Sequence, residues 1–157
     1  MTQPASPLSL IRIPRGFGIA VGIHPKQSHQ FYGSLLENIR QLLRNSRVVA
    51  MGEIGLDYTT PENTWSYQEH VFTRMLSLAP SSMPVILSLR DWEHGNAYLK
   101  RYDILMRNSA PVQKVHLHCF TGSAEAVIKW NQMFPNCYFG LTALVRNLGT
   151  GQREAVQ

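Results

Sequence analysis

The sequence predicts an α/β fold, about five parallel strands flanked by helices, and three observations carry that prediction. Short apolar runs alternate along the chain with stretches of helical period. The runs close in glycine, proline or polar residues, as buried strands do. The helical stretches between them are long enough to return the chain to the same end of a sheet, which parallel pairing requires.

Taken in order, "FGIAVGI" (17–23) reads as a strand that ends at His24-Pro25. Residues 31–46 place apolar groups at 32, 35, 36, 39, 42 and 43, the period of an amphipathic helix. "RVVAMGEIGLD" (47–57) is a second strand, and 65–79 a second helix through Trp65, Val71, Phe72, Met75, Leu76 and Ala79. The aromatics of that helix read as core by spacing. "PVILSL" (84–89) is the third strand, after which Asp91 is placed to cap a helix reaching Asn108. "KVHLHCF" (114–120) is the fourth strand. Ser123 caps a helix to Phe134, and "CYFGLTAL" (137–144) is the fifth strand. No internal repeat interrupts the series.

Composition bounds what this fold is used for. With 44% hydrophobic and 16% charged residues, the 157-residue chain has the balance of one packed domain rather than a disordered segment. No stretch is apolar enough over enough length to span a bilayer. The net charge of +5 permits polyanion binding without arguing for it alone. Cys119 and Cys137 form no CxxC pair, so reduced thiols in an intracellular setting, nucleus or cytoplasm, are expected. The opening "MTQPASPLSLIRIPRGFG" holds three prolines and no acidic residue; residues 1–16 read as an irregular lead-in to a domain over 17–157. A mitochondrial transit peptide is the weaker alternative for that stretch.

Chemistry gathers at the carboxyl ends of the strands, where parallel α/β folds place their sites. There stand His24, Glu53 with Asp57, Ser88 with Arg90, and His116 with His118. A carboxylate at 53 inside an apolar strand is costly unless a metal ion or an arginine such as Arg90 offsets it. His116 and His118 share one face, about 6.5 Å apart along the strand, which is long for a single ion. Asp57 suits a metal or substrate contact or, more readily, a loop cap, through hydrogen bonds to nearby backbone N–H groups. His24 lines the site mouth or is a plain loop histidine. Arg90 contacts phosphate or neutralises Glu53.

The motifs "GIHP" (22–25), "GEIGLDY" (52–58), "PVILSLR" (84–90) and "HCFTGS" (118–123), followed by "YFGLTA" (138–143), resemble in this order the TatD family of metal-dependent hydrolases. The animal TatD-domain-containing proteins look most similar. The resemblance covers roughly 17–145 and implies a (β/α)₈ TIM-type barrel, of which this chain supplies a part. It also implies one or two divalent ions (magnesium, manganese or zinc) and cleavage of phosphodiester bonds, chiefly in DNA, as a deoxyribonuclease. Residue by residue, it makes Glu53 the metal-bridging glutamate and His118 a histidine ligand; His116 is then a weaker ligand candidate, and His24 and Arg90 weaker substrate contacts. Metal-assisted hydrolysis is the implied chemistry.

Three departures accompany the resemblance. No His-x-His pair precedes Phe17, no "ETD" closes the chain, and Ser88 stands where the family carries a histidine ligand. The chain is therefore expected to be truncated at both ends, with an unclosed sheet whose two open edges invite self-association or a partner. The alternative function is a non-catalytic remnant that binds through those edges, without any membrane.

Overall fold

A computed structural model describes residues 14–91 and 96–143. Five strands, β1 (Ile19–Val21), β2 (Val48–Asp57), β3 (Val85–Arg90), β4 (Val115–His118) and β5 (Cys137–Phe139), alternate with four helices. These are α1 (Gly33–Leu42), α2 (Trp65–Leu76), α3 (Asn96–Asn108) and α4 (Ala124–Met133). Two 3-10 turns, Pro25–Gln30 and Glu62–Thr64, follow β1 and β2. All strand pairs are parallel and the sheet order is β1-β2-β3-β4-β5. The arc of a barrel is there; among the described residues it does not close.

One face of the sheet meets the helices. Met51, Val85, Leu87, Val115 and Leu117 pack there against Phe72, Met75, Leu105 and Trp130, all with almost no exposure. Each such side chain contributes about 1.5–3 kcal/mol by leaving water. The opposite face carries Ile86, His116 and Tyr138 in register, and Tyr138 is 60% exposed.

Boundaries move where local hydrogen bonding overrides periodicity. The first helix stops at Leu42, because Arg44 N and Asn45 N turn back onto Gln41 O and Leu42 O, and Asn45 Oδ1 takes Arg47 N. The second helix ends at Leu76 and continues as single turns through Ala79. Helix α3 is described from Asn96; residues 92–95, on which the expected Asp91 cap depends, lie outside the described residues. Ser123 does cap α4, its hydroxyl accepting from Ala126 N at 3.3 Å. The outer strands keep only their paired centres. The lead-in up to residue 13, His94 (whose place on a predicted loop or helix makes it an expected surface residue) and the end of the fifth predicted strand lie outside the described residues.

The feature that shapes the site is an irregularity in β2. Met51 pairs with Val85 and Ile54 with Leu87, three steps on one strand against two on the other. Such a bulge re-aims a side chain. Without it Met51 and Ile54 would face opposite sides; with it both are fully buried in the helix-covered core. Glu53, next to Ile54, is thereby turned to the far face. Gly55 lets the strands close up just beyond: at φ +144° it has no Cβ, and one placed there would lie 2.2 Å from Ser88 O.

Candidate active site

The register that pairs Ser88 with His118 puts both on the face to which the bulge turns Glu53. Glu53 Oε1 lies 3.6 Å from His118 Nε2, and Oε2 lies 4.0 Å from His24 Nε2. The carboxylate, with 36% of its side chain exposed, sits between two imidazoles rather than against Arg90. Arg90 lies farther along β3, opposite Asp57 and exposed, on the rim of an open depression of about 630 Å³ also lined by Asp91, Cys119 and Thr121.

His24 is held from two sides. Lys26 N donates to Nδ1 at 3.2 Å, which leaves the proton of the neutral ring on Nε2. That N–H faces Ser88 Oγ at 3.2 Å and, beyond it, Glu53. Burial pushes His24 below its ordinary 6.5; Arg90 and Lys26 add to this, and Glu53 and Asp57 oppose it. His24 is thus a neutral donor presented to the carboxylate. Ser88 is buried and serves His24 as a partner.

His116 lies deeper. Its ring centroid is 6.2 Å from that of His118, at 73° between planes. Its Nε2 occupies space a Cβ on residue 140 would fill, 2.5 Å from the ideal position, so Gly140 is what admits the ring. Burial is the main cause of its lowered pKa, helped by His118 and opposed by Glu53.

Asp57, at the end of β2, is the loop anchor its residue type suggests. Oδ1 accepts from Thr59 N at 3.0 Å and from Thr59 Oγ1 at 2.5 Å. Gln68, which periodicity alone does not mark, clasps the same backbone: Asp57 N donates to its Oε1 at 2.7 Å and its Nε2 donates to Asp57 O at 3.2 Å. The sequence signal for Gln68 was a polar residue on the buried face of a helix.

A model of the family described as TatD related DNase matches residues 7–157 of this geometry's chain. The chain belongs to the TatD family. The 3'-5' RNA nuclease TATDN2 of Homo sapiens is 34% identical over 128 residues, 80% of this chain and 16% of that protein. The 3'-5' ssDNA/RNA exonuclease TatD of Yersinia pseudotuberculosis is 35% identical over 105 residues, 66% of this chain and 38% of its own. Among solved structures, the TatD homologue YJJV of Escherichia coli aligns with TM-score 0.66 and 27% identity, over 80% of this chain and 47% of that one. The chain spans less than half the length of each of these three.

TatD membership implies a divalent metal. The Glu53–His118 separation fits two donors of one ion, since ligands about 2.1 Å from a metal at tetrahedral angles lie about 3.4 Å apart. Among the described residues no third His, Cys, Asp or Glu joins them in a metal-holding group. One carboxylate oxygen and one imidazole nitrogen form a donor pair open to magnesium, manganese or zinc.

Proposed function

We propose that this chain is a TatD-type metal-dependent hydrolase of single-stranded nucleic acid, in which Glu53 and His118 hold a shared divalent ion of magnesium, manganese or zinc. The observation that carries it is the 3.6 Å approach of Glu53 Oε1 to His118 Nε2 at the strand ends of a TatD-family chain. When bound, the ion supplies an acidified water and offsets the charge that develops on the phosphate. The chain's own residues do the remainder. Ser88 and the Lys26 amide hold His24, whose ring is kept beside the second oxygen of Glu53. Arg90, exposed beside the open depression, meets the phosphate backbone. DNA is the substrate named in the family's description, and RNA or single-stranded DNA in the names of its relatives. An intracellular setting, nucleus or cytoplasm, accords with the two free thiols.

The test is chelator-sensitive cleavage of labelled single-stranded DNA and RNA by wild type and Glu53→Ala, with ion binding followed by calorimetry. Cleavage lost with chelator and in the variant supports the proposal; equal traces in both proteins overturn it. A second reading, a non-catalytic protein that docks through its open sheet edges, is favoured by one observation, the two-donor set with Ser88 beside it. Absence of ion binding in wild type would select it.

A further inference from the structure

A groove of about 430 Å³ opens beside the site, between the 3-10 turn after β1 and the turn that leads into α2. Its size falls in the range of small-ligand clefts, roughly 300–1,000 Å³. Lys26, His29, Thr60, Asn63 and Tyr67 line it. We propose that this groove binds one nucleotide of a single strand, with its phosphate at Lys26 and its base on Tyr67. The inference rests on the nuclease reading and names a subsite for it.

The groove and the candidate site share a segment of chain. The amide of Lys26 fixes His24, which faces Glu53, while the Lys26 side chain runs into the groove. Its ammonium lies 3.6 Å from Asp57 Oδ2, an oxygen that is fully buried and accepts no hydrogen bond. The tether is thus electrostatic: it restrains the lysine while its N–H donors stay available, and the side chain is 52% exposed. A restrained cation loses less freedom when it meets a phosphate than a loose one does.

Tyr67 supplies the other half. The periodicity of 65–79 made its aromatics core, and Trp65 (stacked on Tyr58) and Phe72 obey; Tyr67 does not, being 41% exposed. Its hydroxyl donates to Phe31 O at 2.8 Å, and its ring lies 6.3 Å from that of His70, nearly parallel. The ring is therefore set in direction while it lines open space. Behind it, Gln68 Nε2 donates to Thr60 Oγ1 at 2.7 Å, so the floor's polar groups are already satisfied. A fixed cation beside a fixed ring is the combination that grips a single strand without reading its sequence.

The experiment is fluorescence anisotropy of a labelled oligothymidylate of about ten nucleotides, titrated over a range of salt in chelator, so that neither ion nor cleavage enters. Lys26→Met is expected to lower the slope of log affinity against log salt by about 0.7, the share of one phosphate on a single strand, and Lys26→Arg to restore it. Tyr67→Leu should weaken binding about tenfold with the slope unchanged. Lys129→Met, at a lysine already paired with Glu125, should leave both as in wild type. Wild type that binds with a salt slope, while Lys26→Met and Tyr67→Leu match it, overturns the subsite and leaves the nuclease reading standing. Wild type that binds no oligonucleotide overturns the subsite, and the cleavage assay with ion present then decides the nuclease reading by itself. Melting curves check that each variant is folded, and Tyr67→Leu keeps the question open to refutation should Lys26→Met unfold.

Discussion

Glu53 and Asp57 stand on one strand, at the same end of the sheet, and their surroundings differ in almost every respect. Asp57 has no exposure, two hydrogen bonds from Thr59 to one oxygen, a lysine near the other, and a glutamine clasping its backbone. Glu53 is more than a third exposed and has two imidazoles at 3.6 and 4.0 Å, neither at hydrogen-bonding distance. Local partners hold the first carboxylate through one oxygen and its backbone, with only the Lys26 charge near the other. They position the second and leave its oxygens without a hydrogen bond among the described residues. Burial and local hydrogen bonding, not residue type, set the two acids apart.

That contrast can be broken or sharpened by substitution. The largest expected effect is at Asp57: Asp57→Ala removes charge-assisted hydrogen bonds and isolates Lys26, for a loss of about 3 kcal/mol in denaturant unfolding. A loss below about 1 kcal/mol would mean that the Thr59 contacts are incidental. Next, Ser88→His combined with His24→Ala, which makes room, gives Glu53 and His118 a third donor and should raise zinc or manganese affinity about tenfold by calorimetry. Unchanged affinity would show that the pair is not an ion site. Glu53→Gln should change stability by less than about 0.5 kcal/mol at pH 8. A cost like that of Asp57→Ala would erase the distinction between the two acids.

The smallest effect concerns acidity. His24 and His116 are both held below 6.5 by burial, so the unfolded chain takes up their protons first. Stability is then full above about pH 6.5 and declines as pH falls through the lowered values. In chelator, His116→Gln should flatten this decline between neutral and mildly acidic melts. Parallel curves for wild type and variant would contradict it.

The element series was legible because each strand is apolar and each helix amphipathic; five strands and four helices emerge in the predicted order. What periodicity could not see is the bulge at Gly52-Glu53. A period of two carries its phase through any strand, so it puts Met51 and Glu53 on one face, where the register separates them. The same blindness hid His24's role, since its partners Ser88 and Glu53 lie on other strands. Tyr67 was misread for a related reason: helical spacing marks a face, and this ring lies at that face's border. The pairing of Glu53 with Arg90, natural on charge alone, gave way to geometry, because Arg90 falls opposite Asp57.

The sheet is laid down in space in the order in which it is written along the chain. Among the described residues each strand after β1 pairs with the one before it in the chain, so pairing needs no distant mate. Growth from the amino end adds staves one at a time to an arc that is already hydrogen-bonded, and the intermediate lengths expose one fresh edge instead of several. Nicking the surface turn at Pro80–Met83, where no strand pairing crosses, would leave two pieces that each keep a contiguous part of the sheet and can meet again along the β2–β3 seam.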